Sequence, residues 1–224
     1  MLDLIITGDG SHSLFHTELS ESYHSIHGAI QESQHVFIEQ GLRHQWNAHP
    51  RGIQILEIGF GTGLNALLTL RETLTRQLKV RYVTFEKFPI GIELASRLNY
   101  PQLLEWPDAN HWFDQLHRAP WEQGVTVHPL FQLFKLQRDL TQLPPLGEEK
   151  FDLIYFDAFA PSRQPEMWTL SLLSHVKRAM GTEAFLVTYC AQGQFKRNLK
   201  ELGLIVETLP GPPGKKEMVR ALLP

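Results

Sequence analysis

The run Ile53-Gln54-Ile55-Leu56-Glu57-Ile58, followed at once by Gly59-Phe60-Gly61-Thr62-Gly63 and then by Leu64, Leu67, Leu68 and Leu70, constrains this chain more than any other stretch. A short apolar run that ends at glycine reads as a buried strand, and leucines at helical spacing read as the helix after it. Alternating glycines let the backbone turn sharply between the two and approach a ligand without Cβ clashes. Strand, glycine turn and helix in that order open an α/β domain.

The alternation continues along the chain. A second strand is predicted at 80–86, helical segments at 92–98 and 109–117, and an extended stretch at 125–137 whose limits Pro129 blurs. A breaker at 143–147 precedes a strand at 151–156. Helix, strand, helix and strand follow at 167–180, 184–189, 194–202 and 204–208, and 217–223 pairs back as an antiparallel last strand. This order implies a Rossmann-like, doubly wound sheet with helices on both faces. In front of it, residues 4–7 and 13–16 flank Gly8-Asp9-Gly10-Ser11 as a β-hairpin, and 32–46 reads as a helix. The chain divides on this reading into an accessory extension, 1–49, and the main domain, 50–224.

A chain of 224 residues is long enough to bury a sizeable core. Cys190 is its lone cysteine, which excludes an intrachain disulfide and fits a reducing cytoplasm. No run approaches the roughly 18–20 apolar residues that span a bilayer, and residues 1–6 lack the basic start of a signal peptide. A cytoplasmic protein away from the membrane is expected. The net charge of -3 hides an asymmetry. Residues 1–42 carry six acids and no Lys or Arg, whereas 177–224 carries eight basic residues against four glutamates. A locally basic face can meet phosphates even when the total charge is negative. Solvated helix faces explain Lys177, Arg178 and Lys200 equally well.

Two carboxylates stand at predicted strand ends. Glu86 closes the 80–86 strand, where a carboxylate accepts both ribose hydroxyls of an adenosine. Asp157 closes 151–156 and is followed by Ala158-Phe159-Ala160-Pro161 and Pro165-Glu166-Met167-Trp168. A dinucleotide loop spaces its glycines Gly-x-Gly-x-x-Gly, whereas this one reads Gly-x-Gly-x-Gly, which disfavours a nicotinamide enzyme. The loop resembles that of class I methyltransferases binding S-adenosylmethionine. A structural tight turn is the alternative reading.

Four motifs in order, Glu57 to Asn65, Phe85 to Pro89, Asp157 to Trp168, and Gly214-Lys215-Lys216-Glu217-Met218, resemble those of a known family. It is the methyltransferase unit of bacterial tRNA 5-methylaminomethyl-2-thiouridine biosynthesis, the MnmC-type or MnmD family. The front segments Asp9 to His12, Tyr23 to Ser25 and Glu32-Ser33 fit as well, so the likeness covers nearly the whole chain. It implies methyl transfer from S-adenosylmethionine to the exocyclic amine of 5-aminomethyl(-2-thio)uridine at the tRNA wobble position. Glu57, Gly59, Phe60, Gly61, Gly63, Glu86, Lys87 and Phe88 would then hold the cofactor, with Phe88 against adenine. Asp157 would align the amine, and Phe159, Pro161 and Trp168 would wall a slot for the uracil ring of the anticodon loop, with Trp168 as a helix-start aromatic anchoring that segment to the core as the alternative. Lys215, Lys216 and Arg220 would meet tRNA phosphates, with solvent-exposed turn lysines as the competing account. His24 and Glu32 would shape the entrance. The family often carries a Gly-Asp pair where this chain has Asp139 alone, which leaves the adenine contact open. In many bacteria the unit is fused to a flavin-dependent oxidase, and a chain of this length resembles the stand-alone form, with such an oxidase as a functional link.

Other classes compete. A small-molecule amine methyltransferase shares the loop and the acid but has no use for the carboxy-terminal basic cluster. A non-catalytic RNA-binding module has no use for Glu86 and Asp157. Seven of eleven histidines precede Pro50, yet no cysteine cluster or catalytic metal motif accompanies them, and no metal is expected.

Overall fold

The computed structural model describes residues 1–49, 51–142 and 149–224. The breaker expected at 143–147 lies outside the described residues. Near the amino terminus, β1 (Leu2–Ile6), β2 (His12–His16) and β3 (Glu21–Ser22) form a small antiparallel sheet. Then come α1 (Ala29–Ser33), a π-helical stretch Gln34–Leu42 and α2 (Arg43–Gln45). The main domain contains β4 (Ile53–Ile58), α3 (Leu64–Arg76), β5 (Val80–Glu86), α4 (Ile92–Ala95), α5 (Tyr100–Leu103), α6 (Ala109–Arg118), β6 (Gly124–His128) and β7 (Phe131–Gln137). It continues with β8 (Phe151–Phe156), α7 (Leu170–Ala179), β9 (Met180–Thr188), α8 (Gly193–Glu201), β10 (Ile205–Pro210) and β11 (Glu217–Leu222).

Among the described residues, eight strands make one sheet in the order β10-β11-β9-β8-β4-β5-β7-β6. Strands β7, β5, β4, β8 and β9 are parallel neighbours. β11 runs antiparallel between β9 and β10, and β6 is an antiparallel edge on β7. Alternate residues of the central strands enter different cores. Ile55, Leu153 and Tyr155 pack with α3, α6 and the amino-terminal helices, while Leu56, Ile154 and Phe156 pack with α7 and α8. Burial on both faces is why these strands read as continuous apolar runs. Gly41 lets the π-helical stretch lie close on the sheet: a Cβ there would come within 3.0 Å of Val187 and 3.4 Å of Tyr155.

Three differences from the sequence reading have local causes. The first helix begins at Ala29 rather than 32, because the hairpin turn satisfies its open N–H groups. Ala29 N–H faces Thr7 Oγ1 at 3.2 Å and Ser11 Oγ at 3.1 Å, and Gln31 N–H donates to Asp9 Oδ2 at 3.0 Å. The stretch 125–137 is two antiparallel strands, with Pro129 in the turn between them. The helix expected from 167 begins at Leu170, after a 3₁₀ turn Pro165–Trp168 and a Thr169 cap that accepts from Leu172 N–H at 3.3 Å. Among the described residues, no helix is long and apolar enough to cross a membrane.

Candidate active site

The sheet reverses its strand order at β4, with β5 on one side and β8 on the other. Open α/β sheets bind ligands outside the carboxyl ends of their strands at such a point. The register brings Ile58 level with Phe85 and Phe156, so the chain leaves all three strands together. Gly59 N–H donates to Phe85 O at 2.9 Å, and Asp157 N–H donates to Ile58 O at 3.0 Å. Gly59 takes φ 95°, and a Cβ there would lie 2.5 Å from the Asp157 carbonyl oxygen. Only glycine lets the loop and the acid approach this closely.

A cavity of about 410 Å³ opens above these strand ends. Gly59, Phe60, Gly61 and Thr62 line one side, with Glu86 and Asp157 beside them. Gly61 N–H donates to Glu86 Oε2 at 3.0 Å and Phe88 N–H donates to Glu86 Oε1 at 2.8 Å. The carboxylate is thus fixed against the loop, with lone pairs left to accept from a ligand. The far wall comes from the amino-terminal layer, through Tyr23, His24 and Glu32, and from Tyr189 and Lys215.

Asp157 is half-buried and opens to the cavity. Asn65 Nδ2 donates to its Oδ2 at 2.9 Å. Removal from bulk water, with the charge of Glu32, lifts its pKa from 3.8 to about 7, against the pull of Asn65 and Lys215. Glu32 is buried and accepts from Ser25 N–H at 2.7 Å through Oε2, while Oε1 pairs with Lys215 Nζ. The Lys215 ammonium also lies 3.8 Å from the Tyr189 ring centre. Tyr189 in turn donates from Oη to Ala158 O at 2.7 Å. His24 is buried, and that burial lowers its pKa to about 4, so the ring is neutral at pH 7.

Several residues assigned from sequence stand elsewhere. Glu57 is fully buried beneath the loop, accepts from Thr84 Oγ1 at 2.8 Å, and is absent from the cavity wall. Its place at the end of a central strand hides the side chain between neighbouring strands. Gly63 starts α3 against His117 rather than lining the cavity. Phe60 contributes to the wall, but its ring packs on His117 and Trp121. Phe88 is 70% exposed, and Lys87 pairs with Asp139 Oδ2 at 2.8 Å. Lys87, Arg138 and Asp139 flank a small adjoining pocket of about 60 Å³ next to Glu86.

Beyond Asp157, Phe159 lines the cavity and meets Tyr23 edge to face, with ring centres 5.0 Å apart. Pro161 and Lys216 line an adjoining open groove that shares Ala160, Tyr189 and Lys215 with the cavity. Trp168 takes the anchoring alternative rather than the slot: it is buried against Phe156 and Phe195, and its Nε1–H donates to Phe159 O at 2.9 Å. It fixes the Phe159 segment from below. Lys215 points into the cavity toward Glu32 instead of toward solvent, and Arg220 is buried and paired with Glu207 at 2.7 Å. Both leave the expected phosphate-facing set; Lys216 is exposed. Asn65 and Tyr189 had no role in the sequence reading. A lone amide between the leucines that open α3 was the available signal for Asn65; nothing local marks Tyr189.

The parallel sheet with antiparallel β11, the glycine loop after β4 and the carboxylate closing β5 define a class I S-adenosylmethionine-dependent methyltransferase. A family model described as S-adenosyl-L-methionine-dependent methyltransferase matches residues 112–224, and the chain belongs to that family. The Glu86 carboxylate, held against a glycine loop that lines the cavity, fits this cofactor. The chain is similar to the tRNA 5-methylaminomethyl-2-thiouridine biosynthesis bifunctional protein MnmC of Idiomarina loihiensis, at 32% identity over 218 residues covering 91% of this chain and 36% of that protein. The protein of the same name from Cupriavidus metallidurans is 32% identical over 235 residues, covering 97% of this chain and 33% of its own length. The chain therefore spans about a third of the length of these curated relatives. The crystal structure of MNMC2 from Aquifex aeolicus superposes with a TM-score of 0.81 at 27% identity, covering 100% of this chain and 70% of that one.

Proposed function

We propose that this methyltransferase transfers a methyl group to the exocyclic amine of 5-aminomethyl(-2-thio)uridine at the wobble position of tRNA. The observation that carries the reading is Asp157, held by Asn65 in the cavity beside the glycine loop with its pKa raised to about 7. Bound S-adenosylmethionine supplies an electrophilic methyl group, and only a neutral amine can attack it. An alkylamine of pKa ~10.4 is mostly ammonium at neutral pH. Moving its proton to an ordinary aspartate costs roughly 9 kcal/mol, but to a carboxylate near 7 the cost is roughly 4.6 kcal/mol. Asp157 therefore both accepts the amine's N–H bonds and receives its proton. We assign Glu86 and the 59–63 loop to the cofactor and the Phe159–Tyr23 edge to the base, since unstacked RNA bases are commonly held by aromatic rings.

The names of the MnmC relatives, together with the likeness to the Aquifex protein, support tRNA over a free amine. In this reading residues 1–49 are an accessory layer that walls the acceptor side. A separate flavin-dependent oxidase is the enzyme's functional link, and the reaction takes place in the cytoplasm. The test is methyl transfer to undermodified bulk tRNA and to free alkylamines, followed by nucleoside analysis. The expected product is 5-methylaminomethyl(-2-thio)uridine, with Asp157→Asn slower by about 10² or more. Turnover of free amines alone, or an Asp157→Asn protein as fast as wild type, would overturn the reading.

A further inference from the structure

The carboxylate of Glu32 and the ammonium of Lys215 come from opposite ends of the chain, 183 residues apart, and meet inside the cavity wall. Glu32 rides on α1, whose first N–H groups are held by Asp9, Thr7 and Ser11. Lys215 lies on the turn between β10 and β11, with its Nζ over Tyr189. This is an expensive place for charge: Glu32 is 4% exposed, and one member of such a pair without the other is strongly unfavourable. An acceptor amine at Asp157 would share the cavity with the pair, since all three residues line it, and the two groups act on the Asp157 carboxyl in opposite directions.

The same cavity is also lined by Glu86, which accepts from the Gly61 and Phe88 N–H groups and acts on Tyr23, and by Glu21, 3.4 Å from Arg163. Asp9, Glu32 and Lys215 face His24. Glu21, Glu32, Asp157 and Cys190 face Tyr189, and Lys196 and Lys215 face Cys190. Glu57 lies behind Asp157, under the loop. None of these duplicates the Glu32–Lys215 contact. With both charges in place, that part of the wall is neutral overall.

We propose that Lys215 is a positioning residue that balances charge for the acceptor amine: by cancelling Glu32 it leaves Asp157 as the uncompensated carboxylate on the amine's side of the cavity, Glu86 being held by the Gly61 and Phe88 N–H groups and Glu21 lying beside Arg163. This rests on the reading of the acceptor as an amine. Without Lys215, Glu32 joins Asp157 in holding the acceptor as an ammonium, which binds well and cannot attack. Without Glu32, the unpaired Lys215 cation repels an ammonium and favours the neutral amine, at the expense of binding. An opposite charge within a few ångströms moves a titration by about one unit or more.

The experiment compares Lys215→Met, Lys215→Arg, Glu32→Gln and the double variant Lys215→Met/Glu32→Gln. It uses pH profiles of kcat and KM for aminomethyl tRNA, and carbon-13 NMR titration of the Asp157 carboxyl. In Lys215→Met the acid limb of kcat should move up by about one unit or more while KM stays level or falls. Glu32→Gln should move the limb down and raise KM. The double variant and Lys215→Arg should return close to the wild-type profile. The Asp157 midpoint should rise in Lys215→Met and fall in Glu32→Gln. A pH-independent loss in both single variants that the double variant does not restore would reduce the pair to a structural tie and overturn the proposal. So would an Asp157 midpoint that neither variant moves. Wild-type protein that methylates no amine would instead sink the acceptor assignment, and the NMR titration would still decide whether Glu32 and Lys215 set the charge at Asp157.

Discussion

Replacing Glu57 by glutamine isolates the cost of a carboxyl group hidden beneath the glycine loop. The side chain is 0% exposed, its Oε2 accepts from Thr84, and its Oε1 has no partner among the described residues. Burial, reinforced by the charge of Asp157, pushes its pKa from 4.5 to about 8. The unfolded chain releases this proton near 4.5, whereas the folded protein keeps it until about 8. Between those values the native state binds the extra proton, so stability is fully present below the lower value and falls as pH rises through the higher one. The slope is about 1.4 kcal/mol per pH unit, or roughly 5 kcal/mol over the interval. That is comparable to the whole stability of a marginal domain. Glutamine keeps the shape: its carbonyl takes the Thr84 hydrogen, and its amide group turns toward Asn65 Oδ1 and the Tyr82 hydroxyl, both without another partner among the described residues. Urea unfolding of both proteins across this pH range is the assay. The stability of Glu57→Gln relative to wild type should grow with pH by roughly 4–5 kcal/mol. Two pH–stability curves that run parallel would refute the reasoning, because they would mean that Glu57 titrates alike in both states.

Two further substitutions probe the frame around the site. Gly59→Ala forces a Cβ toward the Asp157 carbonyl at φ 95°. It should cost about 2–5 kcal/mol of stability in thermal unfolding, the sum of the left-handed backbone and the overpacking, and it should weaken S-adenosylmethionine binding in calorimetry by on the order of tenfold, about 1.4 kcal/mol. Trp168→Phe removes the donor to Phe159 O. It should lower stability by about 1–2 kcal/mol yet leave the acceptor KM within about twofold of wild type, which separates a support beneath the slot from a wall of it.

The doubly wound core was legible because its signals are local. Strands 53–58, 80–86 and 151–156 are apolar runs buried on both faces, and the leucines of α3 repeat at helical spacing. The elements that slipped depend on distant groups. The start of α1 is set by side chains of the hairpin turn, about twenty residues upstream. The boundary at Thr169 is set by a cap that follows a proline-led 3₁₀ turn, which helical periodicity alone does not register. β6 and β7 read as one extended piece because a two-residue turn leaves no interruption of pattern except Pro129.

The site divides in the same way, and the division has a chemical reason. The half next to the glycine loop is assembled from contiguous motifs at strand ends, so the place of Glu86 and Asp157 beside that loop was legible from position alone. The facing half is assembled from residues that the chain brings together last: Tyr23, His24 and Glu32 from the front layer, Tyr189 after β9, and Lys215 on the final turn. Sequence pattern gives the charge of such residues but not their partners. Lys215 and Lys216 look alike in the sequence, yet one pairs inside the cavity with Glu32 and the other is exposed. Protonation is further still from the sequence. Glu57 and Asp157 stand at the ends of parallel strands as ordinary acids, and their removal from water, helped by a neighbouring carboxylate in each case, moves them to about 8 and about 7. At neutral pH that makes Glu57 largely a neutral hydrogen-bonding support and leaves Asp157 poised to take up a proton. The fold thus separates two nearby acids into one hidden beneath the loop and one open to the cavity, with depth as the first cause of both shifts and neighbouring charge as a further one.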